Sequence, residues 1–102
     1  MRRILIFAGT TEGRELCECL VKAKIHHTVC VATEYGEIVL QQNPFTMIHC
    51  GRMDEREMVR FMQEGAYEII VDATHPYATV VTQNIKVAAT QCGVTDLRLL
   101  RH

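Results

Sequence analysis

The chain has 102 residues, 48% of them hydrophobic and 23% charged, with a formal net charge of −1. That is one core of ordinary globular composition, with no electrostatic footprint for nucleic acid or an anionic membrane and no apolar run near the ~18 residues of a membrane span. Serine and tryptophan are absent, so a serine nucleophile is excluded.

The basic start Met1-Arg2-Arg3 leads into Ile4-Leu5-Ile6-Phe7, which stops at Gly9 with no cleavage-type segment. This reads as a strand and not a signal peptide. The run is apolar on both faces, as a central parallel strand requires. After the turn Ala8-Gly9-Thr10-Thr11-Glu12-Gly13-Arg14, the residues Gly13, Leu16, Cys17, Leu20 and Ala23 recur at helical spacing. Glu18 and Lys22 are placed to pair on the opposite face. Gly13 falls on the buried stripe, where a missing side chain lets the helix approach the sheet closely. Thr28 to Thr33 is a second buried strand. A short helix is expected around Ile38 to Leu40, ended by Asn43-Pro44, and Phe45 to Cys50 is the third strand. Asp54 and Glu57 form a capping box for a helix that buries Met58, Phe61 and Met62 and stops at Gly65. Ile69-Ile70-Val71 is the fourth strand. Pro76 is expected as the first residue of the next helix, which buries Val81, Ile85, Ala88 and Cys92 and stops at Gly93. Leu97 to Leu100 is a fifth strand.

Strand and helix alternate with short connections throughout. That predicts an α/β, Rossmann-like three-layer fold, with a parallel sheet of about five strands and right-handed crossovers. One domain spans 1–102. A doubly wound sheet normally continues past the fifth strand, so a truncated protein is one expectation. The five cysteines, at 17, 19, 30, 50 and 92, are odd in number and contain no Cys-x-x-Cys. They read as free thiols in a reducing cytoplasm, not as a disulfide framework or metal site.

Three stretches carry chemistry. In the Gly9 to Gly13 turn, a glycine allows a tight bend and a helix start offers amides and partial positive charge to an anion. Thr10 or Thr11 either caps the helix or bonds a phosphate oxygen. Arg14 pairs with phosphate or only with Glu18. Gly-x-x-x-Gly is not the dinucleotide fingerprint, and Glu12 opposes a phosphate, so a merely structural turn stays open. At the end of the second strand, Glu34 read alone favours the ribose hydroxyls of NAD, whereas Arg52, beside Gly51, suits the 2′-phosphate of NADP or a solvated loop. Spacing does not decide between them. Asp72-Ala73-Thr74-His75-Pro76-Tyr77-Ala78 leaves the carboxyl end of the fourth strand, the edge where open α/β sheets bind ligands. There His75 could donate a proton and Tyr77 could stack on a flat ring system. In the structural alternative, Asp72 accepts loop amides, His75 caps a helix and Tyr77 packs.

The strings Gly9-Thr10-Thr11-Glu12-Gly13-Arg14, Val31-Ala32-Thr33-Glu34-Tyr35-Gly36, Gly51-Arg52-Met53-Asp54, Val71-Asp72-Ala73-Thr74-His75-Pro76-Tyr77-Ala78 and Leu97-Arg98-Leu99-Leu100-Arg101 resemble, in the same order, those of the precorrin-6A and cobalt-precorrin-6A reductases. Family members are more than twice this length, with two Rossmann-like halves about the macrocycle, and the resemblance covers the first half. It implies an oxidoreductase of cobalamin synthesis that takes hydride from NADP(H) to reduce a carbon–carbon double bond of a tetrapyrrole. On that resemblance Gly9, Thr10, Thr11, Gly13 and Arg14 hold the cofactor phosphates, and Thr33 and Arg52 lie toward the adenosine. Thr74 also belongs to the cofactor site, and His75 and Tyr77 are the catalytic candidates facing nicotinamide and macrocycle. Ala8 departs from an expected glycine, and His102 stands where the family continues with a proline. The absent second half puts turnover by this chain alone in doubt and suggests a homodimer across the uncovered surface. The alternatives are a stand-alone Rossmann-like nucleotide-binding module without turnover, or an S-adenosylmethionine-binding fold that uses Glu34 on the ribose.

Overall fold

The computed structural model describes residues 3–33 and 42–100. The expected helix around Ile38 to Leu40, the candidate Glu34, and Arg101 and His102 lie outside the described residues. The elements, in order, are β1 (Ile4–Phe7), α1 (Thr11–Lys22), β2 (His27–Val31), β3 (Thr46–Cys50), α2 (Glu55–Glu64), β4 (Ile69–Asp72), α3 (Thr79–Cys92) and β5 (Thr95–Arg98).

All the strands pair in parallel, in the order β3-β2-β1-β4-β5. Alternation along the strands sorts the core into two layers. Leu5, Phe7, Cys30 and Ile70 face Met58 and Met62 of α2 and Ile85, Ala88 and Ala89 of α3. Ile6, Val29, Val31 and Val71 face the other way, onto Cys17, Leu16 and Leu20 of α1. Leu5, Ile6, Val29, Ile70 and Ile85 are wholly inaccessible, and each such side chain contributes about 1.5–3 kcal/mol. The helices lie on both faces, and the chain crosses from β3 over β2 and β1 to reach β4. The direction of winding therefore reverses between β1 and β4, where an open sheet leaves a crevice at its carboxyl edge.

The helix boundaries follow their caps. Asp54 and Glu57 complete a capping box, with Glu57 N–H donating to Asp54 Oδ1 at 2.8 Å and Asp54 N–H to Glu57 Oε1 at 3.1 Å. Gly93 ends α3 in the left-handed region at φ 68°, where a Cβ would be strained.

Several expected boundaries move. β2 runs from His27 to Val31 rather than from Thr28 to Thr33. The His27 amide joins the ladder through Phe45 O at 2.9 Å, and its imidazole is held by Ile25 O and Thr46 Oγ1, both at 2.9 Å. α3 begins at Thr79 and not at Pro76, because Ala78 leaves the helical region (φ −83°, ψ 61°) and its amide closes a turn onto His75 O at 2.9 Å. β5 is Thr95–Arg98 and not Leu97–Leu100. The left-handed turn at Gly93 feeds the chain straight into the ladder at Thr95, opposite Ile69. On this edge strand polar residues satisfy the register, so the apolar run near the end of the described chain misplaces it. Glu18 meets Arg14 at 3.9 Å instead of Lys22.

Candidate functional site

Two loops leave the sheet at the winding reversal. The first joins β1 to α1. Thr10, in extended backbone (φ −134°, ψ 165°), is the N-cap. Its Oγ1 accepts from Gly13 N–H at 3.2 Å and donates to Ala73 O at 2.8 Å. A hydroxyl has one proton, so this one is committed inside the protein and is not free to donate to an anion. Gly13 is buried, and a Cβ built on it would stand 2.9 Å from Ala73 Cβ. The close approach expected of Gly13 is therefore real, and it is made to the exit of β4. The amides of Thr11 and Glu12 belong to the first helical turn, whose N–H groups have no intrahelical acceptor. Arg14 is 44% exposed, and its pairing with Glu18 is worth a few tenths of a kcal/mol at most.

The second loop joins β4 to α3. Asp72 is 2% exposed. Its Oδ1 accepts from Thr74 N–H at 3.0 Å, Thr74 Oγ1 at 2.6 Å and Arg98 Nη1 at 2.7 Å. Asp72 is thus the buried acceptor of the structural alternative. Tyr77 is not the packing residue of that alternative, since it is 87% exposed. Its amide donates to His75 Nδ1 at 3.2 Å, and the two rings lie 5.1 Å apart. With Nδ1 accepting, the neutral imidazole carries its proton on Nε2. His75 caps no helix: the N-cap of α3 is Ala78, and no side chain bonds its first amides.

An open cleft of about 510 Å³ runs between these loops and the carboxyl ends of β1 and β2. Phe7, Cys30, Val31, Met53 and Met58 give it an apolar floor, and Arg52 and Asn84 stand on its walls. Burial pushes the Cys30 thiol up to about 12, so this sulfur is apolar filling at neutral pH and not a nucleophile. Cys17, beneath α1, is pushed to about 11 for the same reason. A second groove, about 610 Å³, lies on the amino edge beside Arg3, His26 and Tyr67, away from both loops.

Of the residues singled out from sequence, Gly9, Arg52, Thr74, His75 and Tyr77 line the cleft, while the N-cap Thr10 and Thr11, Gly13 and Arg14 of α1 do not. Thr33 is exposed, just past the lining residue Ala32. The Thr74 hydroxyl donates to Asp72 and so must accept from Thr82 Oγ1 at 3.2 Å and from Arg98 Nη1 at 3.1 Å. Its bonding capacity is then spent inside the protein. Asn84, Val80 and Arg98 were not foreseen. Asn84 is a polar residue one turn beyond Val80 on α3, a signal that helical spacing could have yielded. Arg98 needed the register of β5.

Three comparisons bear on this geometry. The family model for "Precorrin-6x reductase CbiJ/CobK" matches residues 3–102. The chain is 34% identical over 98 residues to a cobalt-precorrin-6A reductase of Salmonella typhimurium, covering 96% of this chain and 37% of the relative. It is 31% identical over 102 residues to a precorrin-6A reductase of Mycobacterium tuberculosis, covering 98% and 38%. Among solved structures, a CobK precorrin-6A reductase superposes with a TM-score of 0.85 at 24% identity, over 100% of this chain and 40% of that one. The likeness of structure extends the fold assignment. The chain spans a little over a third of the length of the curated relatives it matches.

Proposed function

The chain belongs to the precorrin-6x reductase family CbiJ/CobK, and from that premise we propose that it is the NADPH-binding half of a precorrin-6A or cobalt-precorrin-6A reductase, acting in cobalamin biosynthesis. The observation that carries the reading is the switch-point cleft itself: an apolar floor faced by Arg52 and by the start of α3, a helix whose first amides have no side-chain cap.

These residues fit a dinucleotide. Free amides at the starts of α1 and α3 suit phosphate oxygens, and Arg52 suits a 2′-phosphate with its planar fork of donors. The floor of Val31, Met53 and Met58 suits the flat rings. Gly9 and Thr11 would take the pyrophosphate and Arg52 the 2′-phosphate of the adenosine, while Thr10 and Gly13 hold the turn in shape and Arg14 adds positive charge nearby. Thr33 would lie toward the adenosine, and Thr74 would contribute by fixing the loop and not through its hydroxyl. The bound cofactor supplies the hydride. The chain's own part is to orient and to exclude water: the apolar floor keeps the reacting region dry, Tyr77 and Val80 offer exposed apolar surface to a flat macrocycle, and His75 holds a proton at Nε2 within the same rim. The remaining macrocycle contacts would come from the part of the relatives' length that this chain does not cover.

Calorimetric titration with NADPH and then NADH tests the reading. Micromolar NADPH binding, much weaker NADH binding, and loss of that preference in Arg52→Ala are expected. Equal affinity for both nucleotides would shift the ribose contact to Glu34 and remove the 2′-phosphate role from Arg52. No binding by this chain or by one extended to the family's full length would overturn the proposal.

A further inference from the structure

The last strand carries an arginine whose contacts reach back to the base of the β4–α3 loop. Arg98 closes β5, opposite Asp72 in the register. Its side chain is 26% exposed, and Nη1 reaches three acceptors at once: Asp72 Oδ1 at 2.7 Å, Thr74 Oγ1 at 3.1 Å and Asp72 O at 3.3 Å. We infer that Arg98 is a positioning residue for the cleft: through the Asp72 carboxylate and the Thr74 hydroxyl it fixes the exit of β4, and so sets where His75 and Tyr77 stand.

A buried ion pair contributes little net stability. Replacing such a pair by apolar side chains is often neutral for stability or better, because desolvation offsets the attraction. What the pair does supply is direction. Here three elements converge on one hydroxyl: Thr74 donates to Asp72 of β4, accepts from Arg98 of β5 and accepts from Thr82 of α3. Beyond Thr74 the restraints become local. The Tyr77 amide bonds only to His75 Nδ1, and the Ala78 amide to His75 O. The turn carrying His75 and Tyr77 is therefore held at its two ends, and Arg98 anchors one of them. A guanidinium on the next strand also explains how a loop this exposed (Tyr77 at 87%) leaves a β4 terminus that is almost wholly buried. The inference deepens the proposed function and relies on it for its consequence, not for its test.

Hydrogen exchange of the unliganded chain supplies that test. In Arg98→Met, which keeps the length and removes the charge, the amides of Thr74, Tyr77 and Ala78 should exchange about tenfold faster or more while those of Leu5, Ile6 and Val29 keep their protection, the mark of local and not global opening. Arg98→Lys, which restores a donor to Asp72, should recover most of the loop protection. Should Arg98→Met fail to fold, the pair Asp72→Asn with Arg98→Met removes both charges, and the same fast loop over a protected core is expected. Unchanged loop protection in either variant would overturn the inference, as would loop and core opening together in Arg98→Met, which would make Arg98 a counter-charge for the fold alone. An NADPH titration of the same proteins separates the two proposals: absence of binding by the parent chain counts against the cofactor, while the exchange result still decides Arg98.

Discussion

The two loops at the winding reversal differ in how their polar groups are employed. In the β1–α1 turn the capping hydroxyl of Thr10 is bonded on both sides and Gly13 is pressed against Ala73. In the β4–α3 loop the base is equally committed, through Asp72 and Thr74, but the crown is not: Tyr77 is 87% exposed, and α3 starts on Ala78 with no side-chain cap. The first loop commits its side-chain hydroxyl internally and serves as a fixed wall, with only the amides of the first turn left over. The second keeps aromatic surface and helix-start amides available. A helix start left uncapped beside an apolar cleft forgoes about 1 kcal/mol of stability that a capping residue would give, and a ligand can fill that role instead.

Substitutions sharpen this contrast, and the largest effect should come from the fixed wall. Gly13→Val places a branched side chain where a Cβ alone would be 2.9 Å from Ala73 Cβ. Chemical denaturation should show a loss of about 1–3 kcal/mol, since a packed contact between helix and strand end has little room to yield. Thr10→Ala removes the cap and the bond to Ala73 O together and should cost about 1–2 kcal/mol, with Thr10→Ser restoring most of it. A Thr10→Ala protein with unchanged stability would mean that the turn is not the wall described here.

Asp96, on β5 opposite Ile70, gives a smaller effect of opposite sign. Burial, and then the Asp72 charge, hold the Asp96 carboxyl above the usual carboxylate range, and its Oδ1 is buried with no hydrogen-bond partner. A carboxyl raised in the folded state contributes stability below its unfolded pKa, and that contribution is lost as pH rises through the folded value. Asp96→Asn should therefore raise the melting temperature slightly at pH 7, and the gain should vanish in acid. A gain that persisted at low pH would point to packing and not to charge. The smallest change in stability belongs to Tyr77→Ala, within about 0.5 kcal/mol, because almost nothing rests on that ring. Yet it should weaken binding of the ligand the cleft takes. Loss of stability with no change in affinity would reverse the contrast between the two loops.

Much of this was legible in the residues. The strands β1, β3 and β4 are runs of Ile, Leu, Val and Phe, or lie between clear turn signals. Asp54 with Glu57, and Gly93, mark helix ends by chemistry that needs no tertiary context. Gly13 on an apolar stripe announced a close approach to the sheet. Placement failed where long-range pairing decided the outcome. β5 takes its limits from Ile69 to Asp72 across the sheet and not from its own Thr-Asp-Leu-Arg. α3 starts late because Ala78 turns back onto His75, although Pro76 is a suitable first helical residue. The site was legible as a set of loops but not as a set of bonds. The turn offers Thr10 as a cap or a phosphate ligand and the resemblance places Thr74 in the cofactor site, and only the fold shows that both hydroxyls are already occupied by partners 63 and 24 residues away.

Those separations also set a timetable. The bond from Thr10 to Ala73 closes a loop of more than half the chain, and contacts so distant in sequence form only after the entropy of closing that loop has been overcome. Until β4 docks beside β1, the β1–α1 turn has no Ala73 to rest on and the cleft has no second wall. A nascent or partly folded chain therefore lacks the cleft, which forms with the arrival of β4 and not with the first strand–helix unit.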